Sequence, residues 1–173
     1  MASPQANGRK RKYRMNGVQS LRMNTTMRWT PHVTVAAIIE DQGRFLVVEE
    51  KDADKIVINQ PAGHLEDGES LQAAVIRETL EETAWQFTPE AITGIYRWVH
   101  PDSGLTFIRV CYTGLVSQHN PEQALDEGIL RAHWLSREEL LQRPLRSPMV
   151  MRCINDYLAG CRYPLSLCDD IDN

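Results

Sequence analysis

Glu78, Glu81 and Glu82 stand at i, i+3 and i+4 in a stretch free of glycine and proline. On a helix these positions share one face, with neighbouring Cβ atoms about 5–6 Å apart. Three like charges so placed repel one another unless a cation or a proton intervenes. A hard divalent cation fits: Mg²⁺ takes carboxylate oxygens, keeps several waters and completes its shell with substrate phosphates. An exposed acidic helix face is the alternative reading of the Arg77-Glu78-x-x-Glu81-Glu82 core alone, because glutamate is common on solvated helices. The wider spacing argues against it. Gly63, Glu69, Arg77, Glu78, Glu81 and Glu82 together meet the pattern G-x5-E-x7-R-E-x-x-E-E. At roughly 6–7% per residue, a chance match in a chain of this length has odds of about one in 10⁵.

The elements that must hold these residues can be read from periodicity and turn chemistry. Residues 32–40, rich in Val, Ile and Thr, and residues 44–50 flank Asp41-Gln42-Gly43, which predicts a β-hairpin. Residues 56–58 predict a short strand ended by Gln60-Pro61. Residues 69–83 predict a helix, with Leu71, Ala74 and Val75 facing a core. Two long strands are expected at 91–99 and 105–116, and a short one at 131–135. Ser136-Arg137-Glu138-Glu139 has capping-box form and opens a short helix. Ser147-Pro148 supplies an N-cap and a first-turn proline for a helix over 149–159, stopped by Gly160. The order predicts an α+β domain with helices packed on a mixed sheet.

Among other polar and aromatic residues, Arg146 precedes a helix N-terminus, a combination suited to phosphate; a plain surface arginine is the alternative. Trp98 and Tyr96 could stack on a base or pack within the sheet. His64, beside Gly63, is a candidate phosphate contact. Trp134 is expected in the core.

The 173 residues suit one domain, and 42% hydrophobic with 24% charged residues is ordinary for a globular chain. The longest apolar run, residues 33–39, is far short of the roughly 20 residues that span a bilayer. Cys111, Cys153, Cys161 and Cys168 show no zinc-like spacing and read as reduced. The net charge of −4 hides an asymmetry: residues 1–28 hold seven basic side chains and no acid, leaving 12 basic and 23 acidic residues beyond them. Residues 1–28 are expected to be a disordered basic extension. An upstream over-called start, with Met23 or Met27 as the working one, is the preferred explanation; an organellar address or a nucleic-acid arm are the others. Residues 168–173 read as an acidic tail.

Residues 63–85 resemble the complete signature box of the Nudix hydrolases, in its loop-helix-loop form. Ala84 stands where that family has glycine, and Thr79 where it has a bulky aliphatic. Ala84 is expected to be tolerated only if its position does not need a positive φ. Thr79 points to a smaller or partly polar contact. The resemblance extends over roughly residues 29–167, through Trp29-Thr30-Pro31-His32, Phe45-Leu46-Val47-Val48-Glu49-Glu50, Asn59-Gln60-Pro61-Ala62, Leu145-Arg146-Ser147-Pro148 and Arg162-Tyr163-Pro164-Leu165. There it is similar to the NudJ subgroup of bacterial phosphatases.

The resemblance implies an α/β/α sandwich with a mixed central sheet and a cytoplasmic, monomeric, Mg²⁺-dependent phosphohydrolase, with Mn²⁺ as a substitute ion. Implied substrates are small phosphorylated molecules: nucleoside tri- and diphosphates, with release of orthophosphate, and pyrimidine pyrophosphates such as that of 4-amino-5-hydroxymethyl-2-methylpyrimidine (HMP) and thiamine pyrophosphate. Implied metal ligands are Glu78, Glu81, Glu82 and the Gly63 carbonyl. Glu69 and Arg77 would pair as a structural brace. Glu81 or Glu82 would activate water, unless a later loop supplies the base; Asp126 and Glu127 are the loop candidates, with Glu127 preferred. Arg146, His64 and Trp98 would contact substrate. Alternatives are a nucleotide-pool sanitising pyrophosphohydrolase releasing pyrophosphate, a nucleotide-sugar hydrolase, or a nucleotide-sensing or RNA-interacting module. Nucleic acid is otherwise not an expected partner.

Overall fold

A computed structural model describes residues 29–171; the expectations for residues 1–28, and for the last two residues of the acidic tail, lie outside it. Eight strands and three α-helices follow in the order β1 (His32–Ile38), β2 (Glu40–Asp41), β3 (Arg44–Asp52), β4 (Lys55–Asn59), β5 (Ala62–His64), α1 (Leu71–Thr83), β6 (Gln86–Val99), β7 (Thr106–Ser117), β8 (Ile129–Ser136), α2 (Arg137–Leu141) and α3 (Met149–Leu158), with a 3₁₀ turn at Leu165–Leu167. None of these helices is long and apolar enough to cross a membrane.

The strands form two sheets. One has the order β5-β1-β7-β6; in the other, β3 pairs with β2, β4 and β8. β1 and β7 run parallel and the remaining named pairs antiparallel, so the first sheet is mixed. Residues 33–39 are apolar without alternation because both faces of β1 are covered. Ala36 and Ile38 join the core cluster that includes Val150, Cys153 and Ile154 of α3, while Val35, Ala37 and Ile39 join the one that includes Ala74 and Val75 of α1. The α+β sandwich expected from the sequence is therefore present.

The hairpin differs from expectation. Only the two residues of β2 pair with β3, across Gln42 and Gly43. Both have positive φ, 49° and 78°, as the tight turns that match strand twist require. β1 itself lies in the other sheet. β6 starts at Gln86 rather than Ala91 and runs through Pro89, because it is an edge strand with a register shift between Pro89 and Ala91. β5 was not foreseen.

The caps divide in the same way. Ser70 accepts from the Ala73 N–H at 2.9 Å and starts α1 two residues later than expected. The Ser136–Glu139 capping box is complete. At α3, however, Pro148 occupies the N-cap with no side-chain cap bond. The Ser147 hydroxyl is buried and unpartnered.

The condition set for Ala84 is not met: it closes α1 with φ 58° and ψ 19°. A left-handed conformation costs an L-residue roughly 1–2 kcal/mol. Two gains over glycine oppose that cost: a buried methyl, about 0.8 kcal/mol, and a less flexible unfolded chain, about 0.4–1 kcal/mol. Ala84 is 2% exposed, so both operate. Ala84→Gly is accordingly expected to change stability by less than about 1 kcal/mol, measured by urea unfolding; a larger gain would mean that the strain is not offset.

Candidate active site

Arg77, on α1, is the hub of the charged residues. It grips Glu69 with two parallel bonds, Nε to Oε2 at 3.1 Å and Nη2 to Oε1 at 2.7 Å, the bidentate geometry that suits guanidinium to carboxylate. Nη1 also donates to Glu78 at 2.8 Å and to Glu81 at 3.0 Å, and Nη2 to the His64 carbonyl at 3.1 Å. One side chain thus ties the loop before α1, the helix face and β5 together. Glu69 is held below its ordinary pKa by this pairing.

Glu78 and Glu82 are buried, whereas Glu81 is partly exposed. Glu82 receives the Ala62 N–H at 2.8 Å. Burial, reinforced by the charges of Glu78, Glu50 and Asp126, still pushes its pKa up to about 9. Glu78 is raised as well, chiefly by burial, with Glu81 and Asp126 adding to it and Arg77 opposing it. Gly63 lies against Glu78: a Cβ there would stand 2.1 Å from its carboxyl carbon and both oxygens. Glycine is needed here for space, not for a positive φ.

The loop between β7 and β8 is pinned to α1 by Asn120 N–H to the Ala84 carbonyl, Gln123 Nε2 to the Leu80 carbonyl and Asp126 N–H to the Glu81 carbonyl. That anchoring brings the charge of Asp126 onto both Glu78 and Glu82. Glu127 is exposed beside it, with no hydrogen bond or ion pair to the helix carboxylates among the described residues. Of the two loop acids, Asp126 is the one the fold couples to the site.

A cavity of about 220 Å³ opens beside these carboxylates and is lined by Gly63, His64, Trp98 and Arg146 among others. The three expected substrate contacts therefore share one wall system. Arg146 is also engaged: its Nε lies 3.4 Å from Glu50 and its Nη1 2.5 Å from Asp52. Burial and the neighbouring His32 lower the pKa of His64, which favours its neutral form. Tyr96 instead donates to Asp156 at 3.1 Å and packs on the α3 side of the core. Trp134 packs at the edge of the other core cluster, edge-on to Trp85.

Sequence reasoning missed Glu50, Asn59, Arg109 and Ser147, all in the cavity wall. A signal existed for Arg109, an arginine inside the otherwise apolar strand β7, since Arg is almost never fully buried without purpose. Glu50 carried none beyond its place at the end of a strand.

The donor set suits a hard divalent ion. The pKa values of Glu50, Glu78 and Glu82 are each raised chiefly by burial, and Oε1 of Glu50, which makes no hydrogen bond, lies 3.4 Å from Nε of Arg146. Among the described residues no group of three or more His, Cys, Asp or Glu side chains is placed to hold a metal ion: Glu78 and Glu81, two of the three expected ligands, are bound to Arg77 instead.

Two outcomes follow. A carboxyl with an ordinary pKa of 4.5 and a folded value of about 9 binds its proton only in the fold between those limits. The contribution of Glu82 to the stability of the metal-free protein is then full below about pH 4.5 and is lost as pH rises towards 9. Melting in EDTA from pH 5 to 9 is expected to show this decline, and Glu82→Gln to flatten it; an equal slope in the variant would exclude Glu82 as its source. Gly63→Ala, which displaces Glu78, is expected to weaken Mg²⁺ binding by about 10- to 100-fold in calorimetric titration while leaving the melting temperature nearly unchanged.

Comparison with known proteins agrees with this geometry. Residues 29–153 match the NUDIX domain family. The chain is 42% identical over 143 residues to the protein named Phosphatase NudJ from Escherichia coli K12, covering 82% of this chain and 93% of that protein. The solved NUDIX hydrolase from Nitrosomonas europaea superposes with a TM-score of 0.81 at 47% identity, covering 83% of this chain and 99% of that one. The Escherichia coli ORF135 protein superposes with a TM-score of 0.59 at 27% identity, covering 74% and 89%. With its complete box, buried carboxylates and sandwich fold, the chain belongs to the Nudix family and is a hydrolase of phosphoric anhydrides.

Proposed function

We propose that the protein is a Mg²⁺-dependent phosphatase that releases orthophosphate from nucleoside tri- and diphosphates and from pyrimidine pyrophosphates such as those of HMP and thiamine. The carrying observation is the joining of two parts: a buried carboxylate cluster at Glu78 and Glu82, and a cavity lined by Trp98, His64 and Arg146 that meets it at Gly63. One part suits a phosphate chain and the other the group attached to it. The 42% identity to a protein named as a phosphatase, over 93% of its length, supports orthophosphate as the product.

Glu78, Glu81, Glu82 and the Gly63 carbonyl would hold the ion, with Mn²⁺ a workable substitute. When bound, the cation neutralises phosphate oxygens and makes water easier to deprotonate. Phosphoryl transfer needs positioning and charge balance more than a covalent nucleophile. Arg77 supplies positioning by locking Glu69, Glu78 and Glu81 in one frame. The Ala62 N–H orients Oε2 of Glu82; Oε1 would accept a proton from water only where a bound cation keeps this carboxyl ionised, since burial otherwise holds its proton. Glu81 is the alternative acceptor on α1; Asp126 and Glu127 are the loop alternatives. Arg146, in the cavity wall, would exchange part of its pairing with Glu50 and Asp52 for a phosphate oxygen. The protein would act as a cytoplasmic monomer.

The deciding experiment is a panel of GTP, CTP, HMP pyrophosphate and thiamine pyrophosphate with Mg²⁺, with products identified. Orthophosphate release is expected, with kcat lowered about 100-fold or more in Glu82→Gln. Pyrophosphate as the product would favour the nucleotide-sanitising alternative, and no turnover on any of the four would overturn the reading.

A further inference from the structure

Three buried polar atoms among the described residues have no hydrogen-bond partner and belong to residues lining one cavity, namely Oδ1 of Asn59, Nε of Arg109 and Oγ of Ser147; Oε1 of Glu50, in the same wall, makes no hydrogen bond but is ion-paired with Arg146 at 3.4 Å. Buried polar atoms are almost always paired, because leaving one unpaired costs the full penalty of removing it from water. Three on residues that line one cavity are a cluster rather than a scatter of defects.

Arg109 is the most costly of them. It is 5% exposed, and its only hydrogen bond among the described residues runs from Nη1 to Gln60 Oε1 at 3.2 Å. No carboxylate pairs with it there. A buried guanidinium without a carboxylate is unfavourable for the fold, and such violations concentrate where a ligand supplies the missing partner. Ser147 lies one residue before the Pro148 N-cap of α3, and its buried hydroxyl makes no hydrogen bond among the described residues.

The remaining wall is aromatic. Trp98 lies 5.8 Å from Phe107 and 5.2 Å from His100, centroid to centroid, and all three line the cavity. Its volume of about 220 Å³ is below the roughly 300–1,000 Å³ of pockets that engulf drug-sized ligands. The space suits one flat ring system, with the phosphate chain running outward past Gly63.

We propose that Arg109, with Asn59 and Ser147, determines specificity by hydrogen-bonding the polar edge of a single nitrogen heterocycle seated against Trp98. Arg109 donates only, so it takes a ring nitrogen or carbonyl oxygen. Asn59 Oδ1 accepts only, so it takes an adjacent N–H. Ser147 serves either way. Small side-chain rotations, common when ligands bind, bring these atoms to the cavity surface. The inference rests on the phosphoric anhydride chemistry proposed above, and assigns the selection of the group attached to it.

The test compares cytidine triphosphate with inorganic tripolyphosphate, which has the anhydride but no ring, on wild type, Arg109→Met and Ser147→Ala with Mg²⁺. Arg109→Met is expected to lower kcat/KM for cytidine triphosphate by about 10- to 100-fold, mainly through KM. Tripolyphosphate should change by less than about twofold. Ser147→Ala should shift the same ratio by a few fold. An unchanged ratio, or equal losses on both compounds, would overturn the proposal. If Arg109→Met does not fold, Ser147→Ala, which breaks no side-chain hydrogen bond seen in the described residues, decides by the same ratio. Binding of both compounds to Glu82→Gln protein, with and without Arg109→Met, separates the two readings. A ring preference that Arg109→Met removes sustains this inference even if the wild type turns over neither compound.

Discussion

Electrostatic repulsion among carboxylates is the constraint on which the structure is organised. Glu50, Glu78, Glu82 and Asp126 act on one another within a partly buried region, where charge is far more expensive than in water. Arg77 offsets part of this by binding Glu69, Glu78 and Glu81 at once. It cannot reach the whole cluster, and Glu82 is left to retain its proton. The fold thus holds a site whose charge is balanced at neutral pH by a proton or by a bound cation. An acidic protein can then act on polyanions, because local cation charge rather than net charge meets the phosphate.

The surrounding framework is built to hold that tension. α1 is covered by the first sheet, and its C-terminal turn is clamped by the loop from β7 to β8 through Asn120, Gln123 and Asp126. β5 presents Gly63 and Ala62 to Glu78 and Glu82, one as space and one as a donor. Splitting β1 and β3 between two sheets leaves Glu50 of β3 lining the same cavity as Trp98 of β6 and Phe107 of β7. Thr79 fits the same logic: its position is fully buried, and its hydroxyl is satisfied by the Val75 carbonyl one turn back at 2.8 Å, so a polar side chain costs little there.

Much of this was legible locally. The helix expected over residues 69–83, which starts two residues later, the Ser136 capping box and the turn at Gln42-Gly43 follow from spacings of one helical turn or from turn chemistry, and the structure agrees; the Arg77–Glu69 pair, implied by the family resemblance, is also present. The misreadings have a common cause. The hairpin partner of β1, the start of β6 beyond Pro89, the missing cap at Ser147 and the positive φ of Ala84 were each decided by distant packing that overrode a local signal.

The sequence by itself determined the box, its helix and the grouping of Glu78, Glu81 and Glu82 on one face, because these depend on neighbours three and four residues apart. Only the tertiary structure decided which charges are buried. Glu82 is desolvated beside Ala62 of β5, Glu50 is placed near it from β3, and Arg109 is enclosed within the sheet with Gln60 as its one hydrogen-bonding partner among the described residues. Burial is a property of chain segments brought together across 20 to 50 residues of sequence, and no local pattern encodes it.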